Sequence, residues 1–197
     1  MKKKNKKSSS LKLVIVIAIL AVLVLVYYYH LSSRRGAPTE ETDVTLTVVQ
    51  EVLSRNLTAN YPPTPKEVVR YYSDITECFY NEEYTEEEFQ QLAVQIQGLY
   101  DKELIANKTQ EQYITDLQTE ILTFREMNYT ISSYTLSSSV DIENSKFTRD
   151  GYEWAKVYCY YSLSDGTRIL KTSEVFLLRK DEEGHWKIYG WDLADGE

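Results

Sequence analysis

The chain is poor in the side chains that most metal and nucleophile chemistry draws on, with two histidines and two cysteines in 197 residues. A zinc or iron centre wants several His, Cys or acidic ligands at workable spacing. Here His30 ends an apolar run, His185 falls in a turn, and Cys78 and Cys159 stand far apart, so no metal and no cofactor is expected. A Ser/His/Asp set has only His185 to draw on beyond that run, and there is no Gly-x-Ser-x-Gly elbow. The seven glycines are scattered and form no phosphate loop. Two cysteines make no disulfide framework. A bridge is permitted outside the cytoplasm, but each cysteine sits in an apolar pattern that suits a buried free thiol.

Acids are missing altogether from the first 39 residues, while six lysines fall within the first twelve. Between that basic tail (1–10) and a polar stalk (31–43) lies an almost wholly Leu, Ile, Val and Ala run. From Leu11 to Tyr29 it would span roughly 28 Å as a helix, close to a bilayer core of about 30 Å. Lys12 can snorkel to the near interface, and Tyr27, Tyr28 and Tyr29 form an aromatic belt at the far one. Residues 11–30 therefore read as an uncleaved single-pass anchor in the lipid bilayer. The run is too long for a signal-peptide core, and Ser32-Ser33-Arg34 is a poor cleavage site. The lysine excess places the N-terminus in the cytoplasm and residues 44–197 outside it.

Stalk and outer domain together hold all thirty acids. Removing the six lysines of the first twelve residues from a net −8 leaves stalk and domain at about −14. So acidic a surface argues against nucleic acid as a partner. The acid-rich run Glu82–Glu88 lacks the turn glycine of a calcium loop and reads as helix-start chemistry.

The outer part opens with a short helix within Val44–Leu57. Thr64-Pro65-Lys66-Glu67 then has the order of a capping box with proline in the first turn, predicting a helix to about Asn81 with Val68, Tyr72, Ile75 and Phe79 along one stripe. A second box, Thr85 to Glu88, opens a helix continuing to Leu104, and a third, Thr109 to Gln112, one ending near Asn128. Beyond that the period changes to alternation. Four strands are expected: Tyr129–Val140, Gly151–Leu163, Arg168–Lys180, and one around Trp186, Ile188 and Trp191, with turns at Ser164-Asp165-Gly166-Thr167 and Asp181-Glu182-Glu183-Gly184. The fold class is α+β: about three helices packed on a curved four-stranded antiparallel sheet.

The terminal run Gly184-His185-Trp186-Lys187-Ile188, with this order of elements, resembles the cone-shaped fold of the ketosteroid-isomerase and nuclear-transport-factor superfamily. Tyr61-Pro62-Pro63-Thr64-Pro65-Lys66-Glu67-Val68-Val69, Cys78-Phe79-Tyr80-Asn81, Tyr100-Asp101-Lys102-Glu103-Leu104 and Trp186-Lys187-Ile188-Tyr189-Gly190-Trp191 are similar to a family of membrane-anchored clostridial proteins without assigned function. The resemblance implies a Gram-positive setting and brings no catalytic residues with it.

On the strand from Gly151, Ala155, Val157, Cys159 and Tyr161 share one face, and Trp154, Tyr158 and Tyr160 the other. Those three aromatics are the expected surface for a partner, a membrane or envelope protein, since aromatic side chains dominate binding hot spots. The expected function is thus a membrane-tethered binding or assembly module. The alternatives are a small-ligand sensor or carrier using the cone's interior, and an isomerase-like enzyme built on Tyr158, Tyr160 and Glu174. Fold likeness alone is a poor warrant for catalysis.

Overall fold

The computed structural model describes residues 46–194. The tail, the anchor at 11–30 and the stalk lie outside the described residues. Among the described residues no helix is long and apolar enough to cross a membrane.

Threonine starts most of the helices. The helices are α1 (Val48–Leu53), α2 (Pro65–Asn81), α3 (Glu86–Gln97), α4 (Lys102–Ala106), α5 (Gln110–Glu126) and α6 (Ser139–Asn144). Thr47, Thr64, Thr85 and Thr109 cap α1, α2, α3 and α5, each hydroxyl accepting from the amide three residues on. Each cap is worth about 1 kcal/mol. The boxes at Thr85 and Thr109 are complete. The one expected at Thr64 is only half made, because the Glu67 carboxylate turns away to Arg70. On α2 the stripe of Val68, Tyr72, Ile75 and Phe79 is buried, with Cys78 beside it.

The helix expected to run to Leu104 stops at Gln97, and the reason is tertiary. A Cβ on Gly98 would stand 2.8 Å from Leu57 Cδ1 and 3.2 Å from Gln95 O, so glycine lets Leu57 pack closely on the end of the helix. Past it, Leu99–Asp101 leaves the helix to pair with the last strand. Ile188 N donates to Leu99 O, and Asp101 N to Ile188 O, both at 2.8 Å. Asp101 then caps the separate short helix α4.

The sheet has five antiparallel strands rather than four: β1 (Thr130–Leu136), β2 (Phe147–Arg149), β3 (Tyr152–Ser164), β4 (Ile169–Lys180) and β5 (Trp186–Leu193). Their order is β1-β3-β4-β5, with β2 pairing the start of β3 beyond the reach of β1. The added strand forms because Asp150 and Gly151, both at positive φ, make a two-residue hairpin between Arg149 and Tyr152.

Ala155, Val157, Cys159 and Tyr161 face the helices and are buried. Opposite them in register, Thr172, Glu174, Phe176 and Leu178 share that face on β4. Val157, Phe176, Leu178 and Ile188 are fully enclosed. Burying each stabilises the fold by about 1.5–3 kcal/mol. A bulge at Leu177/Leu178 admits an extra residue on β5 and shifts its alternation by one. Trp186 and Ile188 face inward before the bulge, and Trp191, paired with Phe176, takes the same face after it while staying 39 % exposed. Cys78 and Cys159 are buried free thiols, and burial pushes the first up to about 12 and the second to about 11.

Candidate ligand pocket

Helical spacing places Tyr72, Thr76 and Tyr80 one turn apart on α2 and Tyr113, Asp116, Leu117 and Glu120 along α5. Between these helices, the Tyr100 segment and Trp191 is a cavity of about 230 Å³. A second, of about 250 Å³, shares the walls of Tyr72, Thr76, Tyr80, Glu120 and Trp191 and reaches Tyr161 and Glu174 on the sheet. The Trp191 ring lies 5.5 Å from that of Tyr72 and 5.6 Å from that of Tyr100, and Tyr113 meets Tyr100 edge to face at 6.3 Å.

The polar groups here are incompletely matched. The Tyr80 hydroxyl donates to Glu120 Oε1 at 2.8 Å, and Tyr161 shares a 3.0 Å hydrogen bond with buried Ser73. The Tyr113 hydroxyl is buried without a partner, near Tyr100 but outside hydrogen-bond geometry. Tyr72 and Tyr100 are more than nine-tenths buried, and neither hydroxyl makes a hydrogen bond among the described residues. Glu174 has no ion pair or hydrogen bond there either. Burial, and after it the nearby Glu120 carboxylate, raises Glu174 to about 7. The charged groups lining the two cavities are Asp116, Glu120, Glu174 and Lys108, and Lys108 is tied to Asp116 at 2.6 Å. A carboxyl so placed can hold a cation or, half-ionised near neutral pH, accept a proton.

The other polar centre sits on the outer face of the sheet and is complete. Arg179 donates from Nε and Nη2 to both oxygens of Asp101, at 2.9 and 2.6 Å, and from Nη1 to Glu103 at 2.8 Å. Tyr189 donates to the remaining Glu103 oxygen. The guanidinium lies 4.7, 5.6 and 5.0 Å from the ring centres of Tyr152, Trp154 and Tyr189. Burial works against its charge, but the hydrogen bonds it donates to Asp101 and Glu103 outweigh that and hold its pKa above the ordinary value. The same bonds, with Tyr189's, draw Glu103 below the carboxylate range.

This centre explains the fate of the aromatic trio. Trp154 stands on the outer face as expected, but it is 7 % exposed, stacked on Phe147 of β2 and packed on Arg179 and Tyr189. It offers no surface to a partner. Tyr158 and Tyr160 are 37 and 51 % exposed and stack on each other at 6.5 Å. Strand alternation also separates these two from Glu174, which faces inward, so the three cannot line one site. The pocket aromatics Tyr72, Tyr80, Tyr100, Tyr113 and Trp191 escaped sequence reasoning. The available signal was Glu174, a charge in the inward register two residues before Phe176.

In the β4–β5 turn, Asp181, Glu183 and His185 bring possible ligand atoms within 4.8 Å. Asp181 already accepts the amides of Glu183 and His185 there, which accounts for the cluster as turn geometry. No curated protein matches the chain. Residues 1–191 match the family described as a domain of unknown function (DUF6715), and the chain belongs to that family.

Proposed function

We propose that this protein is a membrane-anchored module whose domain outside the cytoplasm binds a small ligand in the cavity between α2, α5 and the inward face of the sheet. The observation that carries the reading is a preformed aromatic cavity with a buried, unmatched hydroxyl on Tyr113, lined also by the hydroxyls of Tyr72 and Tyr100 and by the half-buried carboxyl of Glu174. Buried polar groups are nearly always partnered, and ligand sites are typically apolar hollows with a few convergent polar groups. The volume lies below the roughly 300–1,000 Å³ of pockets for drug-sized ligands, so a small occupant fits best. Leu11–Tyr29 and its lysine-rich flank support the anchor and its orientation, and the likeness to membrane-anchored clostridial proteins supports a Gram-positive cell membrane. The order of helices before the sheet agrees with a cone of the ketosteroid-isomerase and nuclear-transport-factor type.

The test is ligand-observed NMR on the full chain in nonionic micelles, with small alkyl and aromatic compounds, neutral and charged, beside Thr76→Trp to fill the cavity. At least one compound should bind the native chain and lose binding in the variant. Silence from the whole set would end the reading. For the anchor, protease added to intact cells should remove the domain and leave a small N-terminal fragment. A mature N-terminus near Arg34 would instead mean a secreted protein.

A second reading rests on the stacked, exposed pair Tyr158 and Tyr160, which offers contact area to a membrane or envelope protein. Changing both to Ala should leave the fold intact and abolish crosslinking to such a partner; retained crosslinking would remove that surface from consideration.

A further inference from the structure

The pocket's charge and its walls point to a chemical class of ligand. Resting on the pocket reading above, we infer that the occupant is a small organic cation, an amine or quaternary ammonium, seated against the rings of Tyr72, Tyr100 and Trp191 with Glu120 and Glu174 as its counter-charges.

Three carboxylates line the two cavities against one lysine, and that lysine is held by Asp116. An anionic ligand would meet no free cation among these residues, whereas a cation supplies the charge that Glu174 lacks. Aromatic faces attract cations through the ring quadrupole, by about 0.5–1 kcal/mol when exposed and about 2 when desolvated, and aromatic cages are the usual seat of quaternary ammonium groups. The unpartnered Tyr113 hydroxyl can accept an N–H bond from an amine. A metal ion suits the place less well. Among the described residues no three candidate ligand atoms of these carboxylates lie within 4.8 Å of one another, as a protein-built metal cage would need.

The same chain shows this design with its cation in place. Arg179 sits against Tyr152, Trp154 and Tyr189 while Asp101 and Glu103 take its hydrogen bonds. The pocket repeats those ingredients, but its one cation, Lys108, is tied to Asp116 and leaves Glu120 and Glu174 without one. Glu174 is faced by Tyr72 and Tyr80 of α2, Glu120 of α5 and Cys159 and Tyr161 of β3, none of them positively charged.

The experiment is calorimetric titration of the full chain in a maltoside detergent with two matched pairs: choline against 3,3-dimethyl-1-butanol, and benzylamine against benzyl alcohol. At about pH 8 the charged member of a pair should bind at least about tenfold tighter than its neutral partner. That preference should shrink at about pH 5.5, where Glu174 is protonated. Glu174→Gln should lower cation affinity about tenfold and leave the neutral compound within about twofold. Should that variant fail to fold, exposed Glu120→Gln gives the same reading with a smaller loss. Equal binding of charged and neutral members, lost in Thr76→Trp, would overturn the cation inference and keep the pocket. No binding by any of the four would overturn both.

Discussion

Two clusters in this domain are built from nearly the same parts and end in opposite states. On the outer face, two carboxylates and three aromatic rings surround Arg179, and every charge is answered. Inside, two carboxylates and a set of tyrosines with Trp191 surround space, and Glu174 is held partly protonated by burial and by Glu120. The first arrangement stabilises, because each buried group has its partner. The second opposes stability, since a buried carboxyl and loose hydroxyls are penalised wherever they stand unmatched. A fold keeps such a cluster more readily when something other than the fold uses it. The adjacent residues Tyr100 and Asp101 show how close the two lie: one lines the pocket and the next holds Arg179.

Breaking the completed cluster should have the largest effect. Arg179→Met removes the cation and leaves Asp101, 2 % exposed, as an unpaired buried carboxylate. The expected loss is about 3–5 kcal/mol. Denaturant unfolding followed by tryptophan fluorescence measures it, and a loss below about 1 kcal/mol would mean the cluster is not the staple described.

The pocket should respond in the opposite sense. Glu174 loses its proton near pH 7 in the fold but in the ordinary carboxylate range when unfolded. Between those values the folded state holds the extra proton, so stability falls as pH rises from about 4.5 to 7 and stays lower above. Asp74 and Glu77, also raised by burial, push the same way. Glu103 pushes the other way, its contribution being lost as pH falls. Glu174→Gln should therefore stabilise the domain by about 1–3 kcal/mol near pH 8, do little near pH 4, and flatten the slope between. A variant less stable than the native chain at both pH values would show a structural partner for Glu174.

Local chemistry carried much of this architecture into the sequence. The threonine caps at Thr64, Thr85 and Thr109, the α2 stripe and the β3–β4 hairpin depend on residues a few positions apart, and each is readable there, whereas the Thr47 cap went unread. What was hidden depends on distant pairs. α3 gives way after Gly98 to a segment that pairs with Ile188, and Leu57 packs closely at that glycine. Trp154 is buried because Phe147 and Arg179 cover it, and the hairpin that brings Phe147 was signalled by Asp150-Gly151, a pair whose weight is plain only once its φ angles are known. The bulge at Leu177/Leu178 turns Trp191 inward against the simple alternation of β5. The pocket inherits this difficulty, since α2, α5, the Tyr100 segment and β5 each bring it one wall.

A finer test separates satisfied from unsatisfied hydroxyls. Tyr161→Phe removes the partner of Ser73, which is fully buried and whose next neighbour is the weakly bonding Cys159 sulfur at 3.6 Å. Stranding that hydroxyl should cost about 1–2 kcal/mol by the same unfolding measurement. An unchanged midpoint would show that Ser73 finds another acceptor.

The smallest effect, and the sharpest on the comparison, is expected from Tyr113→Phe. The Tyr113 ring packs against Tyr100 and keeps its place in the variant, while the deleted hydroxyl is buried and unpartnered. Removing a donor that bonds nothing in the fold but bonds water in the unfolded chain should be neutral or stabilise by up to about 1 kcal/mol. A ligand that uses the hydroxyl would register its loss separately, as weaker binding with no loss of stability. That combination marks a group kept for something outside the fold. Destabilisation beyond about 1 kcal/mol would instead show that the Tyr113 hydroxyl is held by a hydrogen bond to the protein, and the pocket would lose one of its unmatched groups.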